Sequence, residues 1–167
     1  MQTTLHPILP EEKEILSRLM EKYLYEFSQY DGDSFDETGL FGYRYLNSYW
    51  TDPKRHAYFI RADGKLAGFV LVNTHAAVKE KPIDWAVAEF FVAYPYRRQG
   101  VATAAMLQVF EQHPGRWQIK YHSKNTGSVV LWNKLAARFG PYETLRGDND
   151  YDDGTPAEVV YFDTGTK

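Results

Sequence analysis

The sequence predicts a single α/β domain whose mixed, mostly antiparallel sheet carries helices on both faces. The chain has 167 residues, of which 44% are hydrophobic and 25% charged, and these values suit one globular domain. Strand-like and helix-like segments alternate in its middle part, which requires a right-handed crossover between two parallel strands. An Asp-Gly turn between two apolar runs indicates a hairpin, so the strands elsewhere are antiparallel. We therefore interpret residues 1–167 as one domain.

The first third of the chain predicts one strand and two helices. An extended segment over Thr3–Leu9 precedes a helix that begins at Pro10 with acidic residues in its first turn. Apolar residues at helical spacing continue this helix until Gly32. A shorter helix is predicted over Tyr43–Trp50, and Pro53 prevents its continuation.

The remainder of the chain predicts a hairpin followed by alternating strands and helices. His56–Arg61 and Leu66–Asn73 are strand-like and flank the Asp-Gly turn. The continuous apolar run Ala86–Ala93 predicts a strand that is buried on both faces. The later elements are a helix, a strand, a second helix and two final strands, at Gly100–His113, Trp117–His122, Ser128–Phe139, Tyr142–Arg146 and Val159–Phe162.

The composition excludes several classes of protein. Cysteine is absent, which excludes disulfides, thiolate catalysis, zinc–cysteine sites and iron–sulfur clusters. A net charge of −3 does not favour nucleic acid or an anionic membrane as a partner. The histidines lack the spacing of metal ligands, so we expect no metal. Because neither a secretory signal nor a membrane-length apolar run is present, we expect a cytoplasmic location.

One segment indicates an anion-binding turn. The buried strand ends at Pro95, the segment Arg97–Ala102 follows, and a helix begins at once. Free backbone N–H groups and the positive end of a helix dipole would meet an anion there, and the two arginines would add charge. Gly100 and Ala102 are small enough to allow close approach of a phosphate. The pattern alone leaves two interpretations open, a phosphate or pyrophosphate site and a solvated helix cap.

Two motifs resemble those of a known family. Phe90-Phe-Val-x-x-Pro-x-Arg-x-x-Gly-x-Ala102 resembles the acetyl-CoA signature of the GNAT superfamily of N-acetyltransferases, and Asn125-x-x-Ser-x-x-Leu-Trp-x-Lys134 resembles a segment on that family's next helix. The resemblance implies two central parallel strands that splay apart around acetyl-CoA. It also implies direct attack on the acetyl group, in a ternary complex, by a primary amine that we expect to belong to a small molecule. A homodimer would agree with the frequent dimers of the family.

The resemblance also implies the residues that bind acetyl-CoA. Backbone groups at the end of the central strand would contact the pantetheine arm, the basic turn would bind the pyrophosphate, and the next helix would form the opposite wall. The residues concerned are Phe91, Val92, Ala93, Arg97, Arg98, Gln99, Gly100, Val101, Ala102, Thr103, Asn125 and Trp132.

Glu89 is the candidate catalytic base. An alkylamine has a pKa near ~10.4 and must lose a proton before it attacks a carbonyl carbon. Glu89 lies in an apolar strand, on the same face as Phe91, where desolvation would raise the pKa of its carboxyl group. The alternative interpretation is a structural carboxylate bonded to a backbone amide or a nearby arginine.

The sequence departs from the family at one position. Trp132 stands where the family has a tyrosine that protonates the departing thiolate, and an indole is not a general acid. Tyr94, Tyr121 and Ser128 are conceivable substitutes, and we assign none of them. This departure keeps a non-catalytic acyl-CoA-binding or sensing module as an alternative function. A further alternative is an enzyme that acetylates a protein N-terminus or lysine.

Two acidic loops carry a weaker prediction about the acceptor. One loop spans residues 31–37 and the other spans residues 148–153. If the fold brings them together, their carboxylates form an acidic rim that attracts a cationic amine. The dense aromatic residues between positions 23 and 50 lie where the family borders its acceptor site, so they are candidates for shaping that pocket.

Overall fold

The computed structural model describes residues 1–165 and contains one seven-stranded sheet in that range. The strands are β1 (Thr3–Pro7), β2 (His56–Ala62), β3 (Lys65–Asn73), β4 (Trp85–Val92), β5 (Arg116–His122), β6 (Glu143–Arg146) and β7 (Ala157–Asp163). The α-helices are α1 (Lys13–Asp31), α2 (Val101–Gln112) and α3 (Thr126–Ala137). Short 3-10 helices cover Pro10–Glu12, Leu46–Trp50 and Tyr94–Tyr96.

The helix predicted over Tyr43–Trp50 is shorter and tighter than expected. The structure has a 3-10 helix over Leu46–Trp50 instead, preceded by irregular backbone after the left-handed Gly42. Five residues before the stop at Pro53 are too few to complete more than one turn of α-helix, so the segment closes with i to i+3 hydrogen bonds.

The sheet confirms the predicted fold class and opens at its centre. Its strand order is β1-β2-β3-β4-β5-β7-β6, and every described neighbour pair is antiparallel except β4 and β5. The parallel pairing of β4 with β5 covers only three positions, from Trp85 opposite Trp117 to Val87 opposite Ile119. Beyond Val87 the two strands diverge, so a gap opens in the middle of the sheet.

Helices cover both faces of the sheet, as predicted. On one face Leu16 and Met20 of α1 pack against Phe69 of β3. On the other face Phe110 of α2 packs edge to face with Trp117 of β5, within the cluster that also contains the buried residues of α3. These two apolar layers fix the positions of α1 and α3, which form the walls of the central gap.

A β-bulge in β4 directs Glu89 into the gap. Leu71 of β3 lies opposite Glu89, whereas the next residue, Val72, lies opposite Val87, so Ala88 is the extra residue of the bulge. After the bulge, Glu89 points toward α1, on the face to which Phe91 also contributes its ring. The bulge thus places a carboxyl group where β4 and β5 begin to separate.

A buried histidine links stability to pH. His113 Nε2 is hydrogen-bonded to the Tyr58 hydroxyl at 2.6 Å, and the His113 ring lies 4.6 Å from those of His56 and Trp85. Burial, with a smaller contribution from His56, lowers the pKa of His113 to about 4. The neutral ring is therefore favoured in the folded state, and stability falls as the pH drops from about 6.5, where the unfolded chain takes up a proton, toward 4.

We expect this histidine to contribute up to about 3 kcal/mol to the loss of stability between pH 6.5 and pH 4. Urea unfolding at several pH values measures it, as the difference between the wild type and a His113→Gln variant. A variant of the exposed His6, His6→Gln, serves as the control and keeps the wild-type pH dependence. Parallel stability curves for the wild type and His113→Gln would contradict the prediction.

Candidate active site

The gap between β4 and β5 continues as a cleft of three connected chambers. The turn chamber, about 440 Å³, lies beside the start of α2 and is lined by Val92, Arg98, Ala102 and Thr126 among others. The central chamber, about 370 Å³, surrounds Glu89. The basic chamber, about 380 Å³, lies on the other side of Glu89 and is described below. Each chamber shares wall residues with the next, so the three chambers adjoin one another.

The predicted anion-binding turn has the backbone geometry that such a site needs. Arg98 and Gly100 both have left-handed backbone, with φ of 59° and 80°, and this reverses the chain so that α2 begins directly after Gly100. The first backbone hydrogen bond of the helix runs from Ala104 N–H to Gly100 O at 3.0 Å. The N–H groups of Val101–Thr103 therefore have no acceptor within the helix. They lie beside the turn chamber, to which Ala102 contributes its side chain.

The two arginines of the turn have different environments. The Arg97 guanidinium forms a two-pronged ion pair with Glu26 of α1, at 2.6 and 2.7 Å, and its Nε donates to Val92 O at 2.6 Å. This pairing lowers the pKa of Glu26 and raises that of Arg97. Arg97 thus connects α1 to the turn, and its charge is already neutralised. Arg98 is exposed and lines the turn chamber, so it is the arginine that can meet an anion.

The N–H and C=O groups at the end of β4 point alternately toward β3 and toward the gap. Ala93 N–H donates to Ala67 O at 2.8 Å, so this N–H is engaged with β3, and a contact of the Ala93 backbone with acetyl-CoA stays a prediction. In an antiparallel ladder the direction of the peptide groups alternates, so those of Phe90 and Val92 turn toward the gap left by β5. Because Val92 O accepts from Arg97, the open groups are Val92 N–H and both polar groups of Phe90.

Several other predicted residues have structural contacts as well as positions on the cleft. Val101 is only 1% exposed and packs in the core, so its backbone alone can contact a ligand. The Gln99 side chain donates to Pro95 O at 2.6 Å. Asn125 caps α3, with its Oδ1 accepting from Ser128 N–H at 3.2 Å, and it lines both the turn and the central chambers. Trp132 is buried edge to face against Phe90 and closes the central chamber.

Glu89 has the properties of a proton acceptor. Its Oε2 atom is buried and has no hydrogen-bond partner among residues 1–165, while the residue as a whole is accessible through the central chamber. Burial raises the pKa of the carboxyl group to about 8, although the positive charge of Lys120 and the Tyr23 hydroxyl act in the opposite direction. A structural carboxylate would have its oxygens satisfied. The free Oε2 therefore favours a chemical role.

The central chamber also contains Tyr23, one of the aromatic residues that the sequence analysis named for the acceptor pocket, and Tyr151, which it did not name. Burial raises the pKa of both Tyr23 and Tyr151 well above the ordinary value of a tyrosine, and the nearby carboxylate of Glu89 adds to this effect. Both hydroxyl groups therefore stay protonated. Tyr151 lies in the acidic loop between β6 and β7, where neither spacing nor periodicity indicates its direction. Of the three substitutes considered for the missing tyrosine, Tyr94 is 72% exposed, whereas Tyr121 and Ser128 line the central chamber.

His122 orders the loop that carries Tyr151. Its Nδ1 accepts from Lys124 N–H at 3.1 Å, so in the neutral ring Nε2 carries the proton and donates to Asp153 Oδ2 at 2.9 Å. The His122 ring packs between Tyr30 and Tyr151, at 5.3 and 4.6 Å between centres. With both nitrogens engaged, His122 positions Tyr151 and is not the base of the site.

The two acidic loops meet at the central chamber. Asp31, Asp150 and Asp152 line it together. Burial raises the pKa of Asp31, and the negative charges of Asp152 and neighbouring carboxylates add to this effect. The predicted acidic rim therefore exists on one side of the cleft.

No group of three or more potential metal ligands occurs among the 165 described residues. Within the same range, no helix is long and apolar enough to cross a membrane.

A sheet that splays around a cleft, with a free helix N-terminus at one end and a buried carboxyl group at its centre, is typical of acetyltransferases. A sequence model of the acetyltransferase (GNAT) family matches residues 13–137, about three quarters of the chain. The chain belongs to the GNAT family of acetyltransferases. No curated protein matches its sequence significantly.

Solved structures of this family share the fold at low sequence identity. A GNAT acetyltransferase from Streptococcus agalactiae is 17% identical with a TM-score of 0.69, and 98% of this chain and 96% of that chain are covered. The ribosomal-protein-S18-alanine N-acetyltransferase from Escherichia coli is 12% identical with a TM-score of 0.63, and 99% of this chain and 96% of that chain are covered. The spermidine N-acetyltransferase from Vibrio cholerae, solved with CoA and spermine, is 11% identical with a TM-score of 0.65, and 98% of this chain and 96% of that chain are covered.

Proposed function

We propose that this protein is an acetyl-CoA-dependent N-acetyltransferase that acetylates the primary amine of a small molecule. The observation that carries the proposal is the pair of adjoining chambers, one beside the free N–H groups of α2 and the other around Glu89, whose Oε2 has no partner. One end suits a pyrophosphate and the other can accept a proton. These are the two requirements of acetyl transfer from a CoA thioester to an amine.

The residues of the turn chamber fit acetyl-CoA. The N–H groups of Val101–Thr103 and the Arg98 guanidinium would bind the pyrophosphate, because a helix N-terminus and a nearby cation both favour an anion. The open peptide groups of Phe90 and Val92 would pair with amides of the pantetheine arm. Asn125 and Trp132 would form the opposite wall. Bound acetyl-CoA supplies an activated acetyl group, and the similar enzyme from V. cholerae was solved with CoA.

Glu89 would accept the proton that the amine must lose. A carboxyl pKa of about 8 lies much closer to that of an alkylamine, ~10.4, than an ordinary glutamate does, so the transfer is less unfavourable. Oε2 has no competing hydrogen bond, so the carboxyl group is free to take the proton. Since Trp132 cannot protonate the departing thiolate, Tyr151 is the group that we propose for this step, because its hydroxyl-bearing side chain lines the same chamber as Glu89.

Calorimetric titration of acetyl-CoA tests the cofactor site. We expect the wild type to bind, and an Arg98→Glu variant to bind about 10- to 100-fold more weakly, because a charge-assisted hydrogen bond is replaced by repulsion. Lys65→Glu makes the same change of charge on the β2–β3 hairpin, outside the chambers, and should bind like the wild type. Equal affinity for all three proteins would contradict the assignment of the turn.

Release of free CoA in the presence of primary amines tests the transfer step. We expect turnover with at least one small amine. A wild type that binds acetyl-CoA but acetylates no amine, peptide N-terminus or lysine would instead identify a non-catalytic acyl-CoA-binding module.

A further inference from the structure

Away from the turn before α2, negatively and positively charged side chains line two different chambers of the cleft. The central chamber is lined by the carboxyl groups of Asp31, Glu89, Asp150 and Asp152. The adjoining basic chamber, by contrast, is lined by cationic side chains. Lys120 belongs to both chambers and stands at their junction.

The cations of the basic chamber outnumber its carboxylates. Arg55, Lys79 and Lys120 line it, and so does His75, whereas the carboxylate on its wall is that of Asp148. The Asp148 carboxylate already accepts a hydrogen bond from the backbone N–H of Lys79 at 2.9 Å. The basic chamber thus retains an excess of positive charge facing the cleft.

Lys120 forms no direct ion pair within the described residues, although its charge acts on the carboxyl group of Glu89. Its side chain is exposed in the cleft, and no carboxylate within the described residues lies close enough to form an ion pair with it. Its Nζ lies 5.3 Å from the centre of the Tyr151 ring. An unpaired ammonium beside the proposed reaction centre would repel an acceptor that carries only positive charge.

Arg55 is a second cation that is held in place and incompletely paired. Its side chain is only 12% exposed. Its Nε is 3.4 Å from Asp52 Oδ2 without hydrogen-bond geometry, and a terminal nitrogen is 3.1 Å from His75 Nε2. The guanidinium also lies against the rings of Tyr45 and Tyr49. Nε is buried, so the terminal nitrogens of this fixed guanidinium are the donors that can meet a carboxylate in the basic chamber.

We infer that the acceptor is a small zwitterionic molecule, an amine that also carries a carboxylate, as amino acids do. Its amine would lie in the central chamber beside Glu89, and its carboxylate would lie in the basic chamber with Lys120 and Arg55. This inference rests on the proposed function and specifies its substrate class. A diamine would place a positive charge against Lys120, and a simple alkylamine would leave the basic chamber unused.

A matched panel of acceptors tests the inference. Linear ω-amino acids of two to six carbons are compared with the alkylamines and the diamines of the same carbon number, each corrected for its fraction of free amine. We expect the best amino acid to exceed its alkylamine and its diamine by about 10-fold or more in kcat/KM, since only its carboxylate can accept charge-assisted hydrogen bonds from the basic chamber. A wild type that prefers the diamines would overturn the inference.

A Lys120→Met variant separates recognition from effects on Glu89. Loss of the lysine charge also changes the environment of Glu89, but that change acts equally on all acceptors and cancels in their ratio. We expect the preference for the amino acid over the alkylamine to fall about 10-fold, mainly through KM, and Arg55→Gln to act in the same direction. Lys65→Met, on the distant hairpin, should retain the wild-type ratio.

Binding without turnover distinguishes this inference from the proposed function. Calorimetry measures the same compounds on the complex of the protein with CoA. Amino-acid binding that Lys120→Met weakens, with no acetylation, supports the carboxylate site and contradicts only the catalytic proposal. Acetylation of amines with no preference for a carboxylate supports the catalytic proposal and contradicts the carboxylate site. Absence of binding by every amino acid would also overturn the inference.

Discussion

Replacement of Glu89 by glutamine should lower kcat by about 10²- to 10⁴-fold while acetyl-CoA binds as in the wild type. The amide cannot accept the proton of the attacking amine, and general-base catalysis typically contributes this much. Glutamine has nearly the same shape, so the chamber and the bulge of β4 should persist. Steady-state rates of CoA release measure the effect, and calorimetry verifies the binding.

The pH dependence distinguishes a base from a structural carboxylate. The wild-type rate should rise with pH through about 8, where Glu89 ionises, and Glu89→Gln should lose this rise. Glu111→Gln, on the exposed face of α2, is the matched control and should keep both rate and pH profile. A Glu89→Gln enzyme with a wild-type rate would show that the proton leaves by another route.

The same substitution should stabilise the fold at alkaline pH. A carboxyl group with a raised pKa favours folding while it is neutral, and this contribution is lost as the pH rises from about 4.5 to about 8. At pH 9 the variant should exceed the wild type by roughly 2–4 kcal/mol in free energy of unfolding, a difference that disappears below pH 4.5. Urea unfolding at both pH values measures it.

Replacement of Gly68 by alanine should destabilise the protein by about 3 kcal/mol or more. Gly68 lies in β3 opposite Val92. An added Cβ would overlap the carbonyl oxygen of Phe91 and lie 2.9 Å from its carbonyl carbon and 3.0 Å from Val92 Cα. All three are backbone atoms, so the methyl group can be accommodated only if β3 and β4 separate. The midpoint of thermal unfolding should fall by about 6–12 °C.

The effect should extend to the cofactor site, because the displaced segment of β4 carries the open peptide groups of Phe90 and Val92. We expect weaker binding of acetyl-CoA by the folded Gly68→Ala protein. Gly127→Ala is the matched control for stability alone, because Gly127 lines the turn chamber; its Cβ would have only an ordinary contact of 3.8 Å with Asn125 Oδ1 and would favour α3. Equal stability of the two variants would contradict the prediction.

Local sequence pattern was sufficient to predict most of the strands and helices and the turn that precedes α2. The apolar run of β4 and the Pro95–Gly100 segment each depend on neighbours in sequence, and the structure has the predicted strand, turn and helix there. The short helix before Pro53 was misjudged because a few aromatic residues at helical spacing do not establish an α-helical ladder. The two parallel strands followed from chain order and the handedness of crossovers.

The family, the order of the strands and helices, and the candidacy of Glu89 follow from spacing along the chain, so they could be predicted before folding was considered. The folded structure was needed to show that Arg97 pairs with Glu26 while Arg98 faces the cleft, that Ala93 N–H is engaged with β3, and that Tyr151 and Lys120 line the same chamber as Glu89. Each of these contacts joins elements far apart in the chain. Their partners are set by the packing of α1 and of the β6–β7 loop over the gap in the sheet, and no local periodicity encodes that packing.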